Sequence, residues 1–199
     1  KIKICSSDKK IEEFDIVIST VPLSIVGRIL DPNTFSLELI NKYLNQTSIP
    51  CVCVILKTKK KITNNFWTNI NDERFSIPGI IEFSNLSDKE PFITYVPFYM
   101  PKDRPEYSRP DEAFIKDSIN CLLALNKDFV ESDVIDSHCS RYEFAQPISK
   151  INHFKNLPPI SPVKNFWTVD TSIYYPEDRG ISESIDYGRN MAKKIFEHF

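Results

Sequence analysis

Phe166-Trp167-Thr168-Val169-Asp170 reads as a short strand, and Tyr174-Tyr175-Pro176-Glu177-Asp178-Arg179-Gly180 as the loop behind it. The residues from Ser182 to Phe199 then read as a helix. Ile185, Gly188, Ala192, Ile195 and Phe199 recur near a 3.6-residue period and define its expected inner face. A helix start presents N–H groups with no intrahelical acceptor and a partial positive charge. Such a start can stabilise a phosphate or the anionic edge of a pyrimidine ring. Gly180 lets backbone approach a ligand, and Gly188 lets the helix pack close to a strand. The same pattern also fits an ordinary helix with Ser182 as its N-cap. On the residues alone both readings stand.

Upstream, Lys1 to Cys5 alternates polar and apolar residues, as a half-exposed strand does. Ser6 to Glu13 is polar and turn-like. Asp15 to Thr20 is a short β-branched run that predicts a buried strand. Pro22 can open a helix, with Leu23, Val26 and Leu30 facing inward. A second helix is expected over 36–44, with the stripe Leu37, Ile40, Tyr43 and Leu44, closed by Pro50. Strands follow at Cys51 to Lys57, Asn64 to Ile70, Gly79 to Ser84 and Pro91 to Tyr99. Short turns between them imply a mostly antiparallel or mixed sheet. Asp111 to Leu125 predicts a helix with Ile115, Ile119, Leu122 and Leu123 inward and acidic residues at its start. Asp133 to Ala145 is a further strand, and the proline-rich stretch 147–162 is irregular. The class is therefore α+β, with helices packed on the sheet.

Composition narrows the function classes. A net charge of −2 argues against nucleic acid as the main partner. The run Lys57 to Lys61 reads as a solvated strand end. The five cysteines include no CxxC pair, and Cys51 and Cys53 alternate with valines as small apolar side chains. A reducing, cytoplasmic setting is the expectation. The three histidines lie far apart, so no metal site is expected. No apolar run approaches the ~20 residues that span a bilayer, and no signal peptide is visible. Only four glycines are present, and no GxGxxG turn for a dinucleotide pyrophosphate. The chain begins at Lys1 in what reads as mid-strand, as an excised piece of a longer protein would.

Several segments carry a family likeness. Asp15-Ile-Val-Ile-Ser-Thr-Val-Pro-Leu23 resembles the D-x-V-I-x-T-x-P strand that precedes the substrate domain in FAD-dependent amine oxidases and protoporphyrinogen oxidases. Asn165 to Ala192 resembles their closing FAD motif, a strand, a loop and a helix of the form G-x-x-x-A. Tyr175 to Gly180, Phe66 to Ile70, Gly79 to Glu82 and Arg141 to Pro147 are similar to a bacterial and archaeal protoporphyrinogen-oxidase-like subgroup. Two departures are plain. The glycine-rich amino-terminal βαβ unit is missing, and Val169-Asp170 stands where the family has a glycine before the last loop.

The resemblance implies a division: 1–30 as the end of an FAD-binding domain, 31–150 as the substrate domain, and 151–199 as the closing FAD-binding segment. It implies flavin contacts from Gly180, Ile181 and Ser182, with Asp170 near the ribityl chain or pyrophosphate and Arg179 near a phosphate. Asp170 as a turn cap, and Asp178 with Arg179 as a local ion pair, fit equally. Trp67, Glu82, Tyr95, Tyr99, Arg141, Tyr142 and Gln146 are candidate lining for a small organic substrate, because an aromatic floor with few polar groups suits one. Hydride transfer to flavin needs alignment more than an acid–base group, so no catalytic residue is assigned. The partner would be the protein's own missing FAD-binding part, and the piece alone is expected to purify without FAD. Two other readings stay open. One is a flavin-dependent sugar-nucleotide mutase, with Arg74, Arg104, Arg109 or Arg141 for a diphosphate. The other is a binding module that has lost the cofactor site.

Overall fold

Val17-Ile18-Ser19 (β3) and Phe166-Trp167-Thr168 (β9) lie side by side in parallel, with Val17 opposite Phe166 and Ser19 opposite Thr168. This pairing makes one unit out of residues 1–47 and those from 147 onward, while residues 48–146 form a second unit. The computed structural model describes residues 1–87 and 89–197.

In the first unit, β1 (Ile2–Cys5) and β2 (Ile11–Phe14) form an antiparallel hairpin. Ser6 to Glu13 is thus not all turn. The turn proper holds Lys9 at φ 65°, and Glu13 comes within 3.5 Å of Lys3 across the pair. β3 is also less buried than expected, since Ile18 is 50% exposed. Pro22 caps α1 (Leu23–Ile29), and Leu23, Val26 and Leu30 are buried. Ser36 accepts from Leu39 N at 3.3 Å and starts α2 (Leu37–Leu44). Only Ile40 and Tyr43 of the expected stripe are buried; Leu37 and Leu44 are exposed. The helix ends at Leu44, and Pro50 lies inside the following strand rather than closing the helix.

These elements surround one core of Leu23, Val26, Leu30, Ile40, Tyr43 and Phe166. Fully burying such a side chain contributes roughly 1.5–3 kcal/mol. The Tyr43 hydroxyl donates to Pro159 O at 2.6 Å and lies 3.2 Å from Thr168 Oγ1, so a buried phenol is satisfied. The stretch 147–162 is irregular apart from α4 (His153–Asn156).

α5 (Ile181–Glu197) closes this unit. Its inner line is Tyr187, Met191 and Ile195, with Tyr187 tilted on Tyr174 at 5.4 Å. Ile185, Gly188 and Ala192 face outward, against the expected face. A Cβ on Gly188 would meet nothing within 4 Å, so this glycine serves no close packing. Phe199 lies outside the described residues.

The second unit is a five-stranded sheet in the order β5-β6-β7-β4-β8. Its strands are β4 (Ser48–Thr58), β5 (Trp67–Asn69), β6 (Gly79–Glu82), β7 (Phe92–Tyr99) and β8 (Val134–Pro147). The β5–β6, β6–β7 and β4–β7 pairs are antiparallel. α3 (Asp111–Leu125) covers one face, against Val52, Val54, Leu56, Ile80, Val96 and Phe98. Its buried line is Phe114, Ser118, Cys121 and Leu122, while Ile115, Ile119 and Leu123 flank the core. The small residues at 118 and 121 let the helix approach the sheet. The Ser118 hydroxyl donates to Phe114 O at 2.8 Å and so enters the core without an unpaired group.

Candidate functional site

Two regions carry the candidate residues, one in each unit. In the first unit, a short 3-10 turn (Thr171–Tyr174) and the loop to Gly180 lead from β9 into α5. The first helical bonds come from Ser184, whose N and Oγ both donate to Gly180 O, at 3.1 and 2.7 Å. The N–H groups of Ile181, Ser182 and Glu183 therefore precede the intrahelical ladder. Of these three residues Ile181 borders an open groove of about 450 Å³, lined also by Thr171, Arg179, Gly180, Ser184 and Ile185. Gly180 is not in the left-handed region. Its role is space, because the Glu183 carboxylate folds back to 1.8 Å from where a Cβ would stand. Asp178 Oδ1 accepts from Arg179 N at 2.7 Å, a local turn contact.

Asp170 caps two elements of the fold. Oδ1 accepts from Ser172 N at 2.7 Å, capping the 3-10 turn, and Oδ2 accepts from Leu23 N at 2.8 Å, at the start of α1. Of the two roles its sequence position allowed, this geometry is that of the turn cap. It ties the carboxyl end of β9 to the helix that follows β3.

In the second unit, the sheet face away from α3 carries Trp67, Ile81, Tyr95 and Ile55, which are in register across β5, β6, β7 and β4. Four residues further along β7, Tyr99 lies on the same face. On β8, Arg141 reaches α3, so Tyr142, Phe144 and Gln146 alternate to the other side, and Tyr142 meets Phe144 edge-on at 6.1 Å. Tyr95 packs edge-on against Phe83 at 5.7 Å. Trp67 Nε1 donates to Asn69 Oδ1 at 2.5 Å, fixing the ring over Gly79, where a Cβ would stand 3.2 Å from it. Trp67, Tyr95, Tyr99, Tyr142 and Gln146 thus share one aromatic surface. Phe83 and Ile81 belong to it too, and strand alternation alone could have found them.

Glu82 and Arg141 do not share that surface. Glu82 is fully buried on the α3 side. Oε2 accepts from Ile62 N (2.9 Å) and Thr94 Oγ1 (3.1 Å), while Oε1 has no partner. Burial pushes its pKa above the usual carboxylate value, only partly offset by these donors and by Lys61. Arg141 pairs with Asp111 and donates to Arg109 O (2.6 Å) and Tyr107 O (3.3 Å). Its guanidinium lies 5.5 Å from the Phe114 ring centroid. The hydrogen bond from Arg141 holds Asp111 below its ordinary pKa. Both residues are committed to the fold because one alternation places them under α3.

Of the other arginines named for a diphosphate, Arg109 lies with Arg141 against the Phe114 ring, 5.0 Å from its centroid, and Arg74 lies against Phe75. Arg74 pairs with Asp72 at 2.6 Å and Arg109 with Asp117 at 2.7 Å. Among the described residues no group of His, Cys, Asp and Glu could hold a metal ion, and no helix is long and apolar enough to cross a membrane. Burial raises the thiol pKa of Cys53, Cys121 and Cys139 to about 11.

The fold is shared with solved structures at low sequence identity. A provisionally named protoporphyrinogen oxidase from Exiguobacterium sp. 255-15 matches 94% of this chain, with a TM-score of 0.70 and 13% identity. A reduced UDP-galactopyranose mutase matches 77%, with a TM-score of 0.61 and 18% identity. An oxidoreductase from Methanosarcina mazei matches 82%, with a TM-score of 0.58 and 15% identity. The chain spans 42%, 35% and 39% of those proteins, respectively. No protein-family model and no curated protein sequence matches it.

Proposed function

We propose that this chain is the substrate-facing and closing part of an FAD-dependent oxidoreductase of the amine oxidase and protoporphyrinogen oxidase type. The observation that carries the reading is the parallel pairing of β3 with β9, which sets the starts of α1 and α5 beyond the carboxyl ends of two adjacent strands. In open α/β sheets that edge is where cofactors lie. Residues 1–47 and those from 147 onward would then form the cofactor side, and residues 48–146 the substrate side.

The groove at Gly180 would take a cofactor edge, with Thr171, Arg179 and the first helical residue, Ile181, bordering it. Asp170 accepts from Leu23 N and Ser172 N, and the remaining lone pairs of its two oxygens would be left for a ribityl hydroxyl. Bound FAD would supply the hydride acceptor. Ile181 and Ser182 would hold its polar edge by backbone donation, with Glu183 swinging off Gly180. Tyr95 and Tyr99 on β7 would floor a small, flat organic substrate, with Trp67 toward the β5 edge and Tyr142 and Gln146 toward the β8 edge. The mutase reading needs cations gathered for a diphosphate, whereas Arg74, Arg109 and Arg141 are each paired with a carboxylate.

The test is the visible spectrum of the protein made from the whole open reading frame. Flavin absorbance, identified as FAD after denaturation and reduced in occupancy by Gly180→Leu, is expected. A colourless protein sinks the reading. Stoichiometric FAD on residues 1–199 alone would show that no further chain is needed. Turnover of a sugar nucleotide only after prior reduction would favour the mutase class.

A further inference from the structure

Away from the α5 groove, the first unit holds a second cavity, of about 300 Å³, between the end of α2 and the segment 148–156. Its walls are fastened to each other. Gln46 Nε2 donates to Asn156 O at 2.8 Å, and Ile148 N donates to Thr47 O at 2.9 Å. Three lysines line it, Lys42, Lys150 and Lys155, and no Asp or Glu does. Lys42 shares its charge with Glu38 at 3.3 Å. Lys150 and Lys155 form no ion pair among the described residues.

The floor is polar and preorganised. His153 is 93% buried by its 7% exposure, and Nε2 lies 2.6 Å from Ser172 O. A carbonyl only accepts, so Nε2 carries the hydrogen and Nδ1 is the ring's uncommitted polar atom. The α2 carbonyls that would repel an anion are occupied: Lys42 O accepts from Gln46 Nε2 (3.0 Å), and Asn41 O from Asn45 N (2.9 Å). Outside the cavity, Ile151 is 91% exposed and Phe154 60%, either side of Asn152 in the left-handed region at φ 59°.

We propose that this cavity binds a phosphate-type anion, held by Lys150 and Lys155 with Lys42 at the rim. The site is independent of the flavin reading, since none of its residues borders the α5 groove. A phosphate can arrive free or on a lipid headgroup, and the exposed apolar tips at 151 and 154 make the second source distinguishable.

The experiment uses the whole protein. Inorganic phosphate and pyrophosphate are titrated by calorimetry, and vesicles of phosphatidylcholine with and without phosphatidylglycerol are tested by co-sedimentation. Lys150→Glu with Lys155→Glu is expected to weaken anion binding at least about tenfold. The same charge change at Lys116 and Lys193, both exposed and outside the cavity, leaves binding unchanged. If Ile151→Ser with Phe154→Ser abolishes vesicle binding alone, the source is lipid; if it changes nothing, the source is a free anion. Equal affinity of wild type and the Lys150/Lys155 variant, or no binding of either probe, overturns the proposal. A thermal melt of each variant separates lost binding from lost folding.

Discussion

The carboxylate of Asp170 accepts a hydrogen bond from the backbone N–H of Leu23 at 2.8 Å, across 147 positions of sequence. One side chain thus closes the start of α1 and the turn after β9 together. Asp170→Ala strands two N–H groups and should cost about 1–3 kcal/mol of stability. Asp170→Asn, which keeps one acceptor oxygen, should cost about half as much. Urea unfolding followed by circular dichroism measures both. No loss in the alanine variant would show the cap to be idle.

Glu82 yields a pH dependence with a defined sign. Its folded pKa is raised above the ordinary 4.5 by burial. The folded state therefore binds the proton more tightly than the unfolded chain does. The stability this confers is fully present below 4.5 and is lost as pH rises through the folded pKa. Glu82→Gln, which keeps shape without charge, should be more stable than wild type above that range and should flatten the profile. Urea midpoints from acid to neutral pH test this; parallel profiles would refute it.

Two glycines should respond oppositely to alanine. At Gly188 a Cβ meets nothing within 4 Å in an exposed helix interior, so Gly188→Ala should stabilise by about 0.5–1 kcal/mol. At Gly27 a Cβ would stand 2.9 Å from Leu44 N, a backbone atom, where α1 meets α2. Gly27→Ala should destabilise by about 1–3 kcal/mol through overpacking. Thermal melts of the pair would decide whether the orientation of α5 is as described.

Arg141 ties β8 to the start of α3 and to the loop before it. Arg141→Ala removes the Asp111 pair and the donors to Arg109 O and Tyr107 O. It should lower Tm by roughly 2–6 °C. Arg141→Lys should restore only part of this, since a single ammonium cannot reproduce the planar fork. If a substrate is identified, KM should not move with Arg141→Ala at a temperature where the variant is folded. A rise in KM with unchanged Tm would return Arg141 to the substrate surface.

Local pattern carried much of the architecture. Asp111–Leu125 was legible to its ends because acidic residues open it and apolar residues recur along it. β4 and β7 were legible from β-branched and aromatic content. Facing was harder. In α5 both the 185-188-192 line and the 187-191-195 line read as apolar, and only Tyr174 and the neighbouring core select the second. Glu82 looked available because its partners, Ile62 N and Thr94 Oγ1, come from other strands and loops. The α5 start was legible as a helix following a glycine loop, whereas the Leu23 donor that engages Asp170 was invisible at such separation.

The hydrogen bond between Thr47 O and Ile148 N draws the ends of the middle segment together, and this sets an order of events during translation. The ribosome delivers β3 and α1 before residues 48–146, and β9 and Asp170 only after them. The five-stranded sheet and α3 can be complete while β3 still lacks β9 and Leu23 N still lacks Asp170. Translation of the last turn before α5 is the moment at which α1 receives its cap. A ribosome stalled before residue 166 would carry a finished second unit and a first unit without β9.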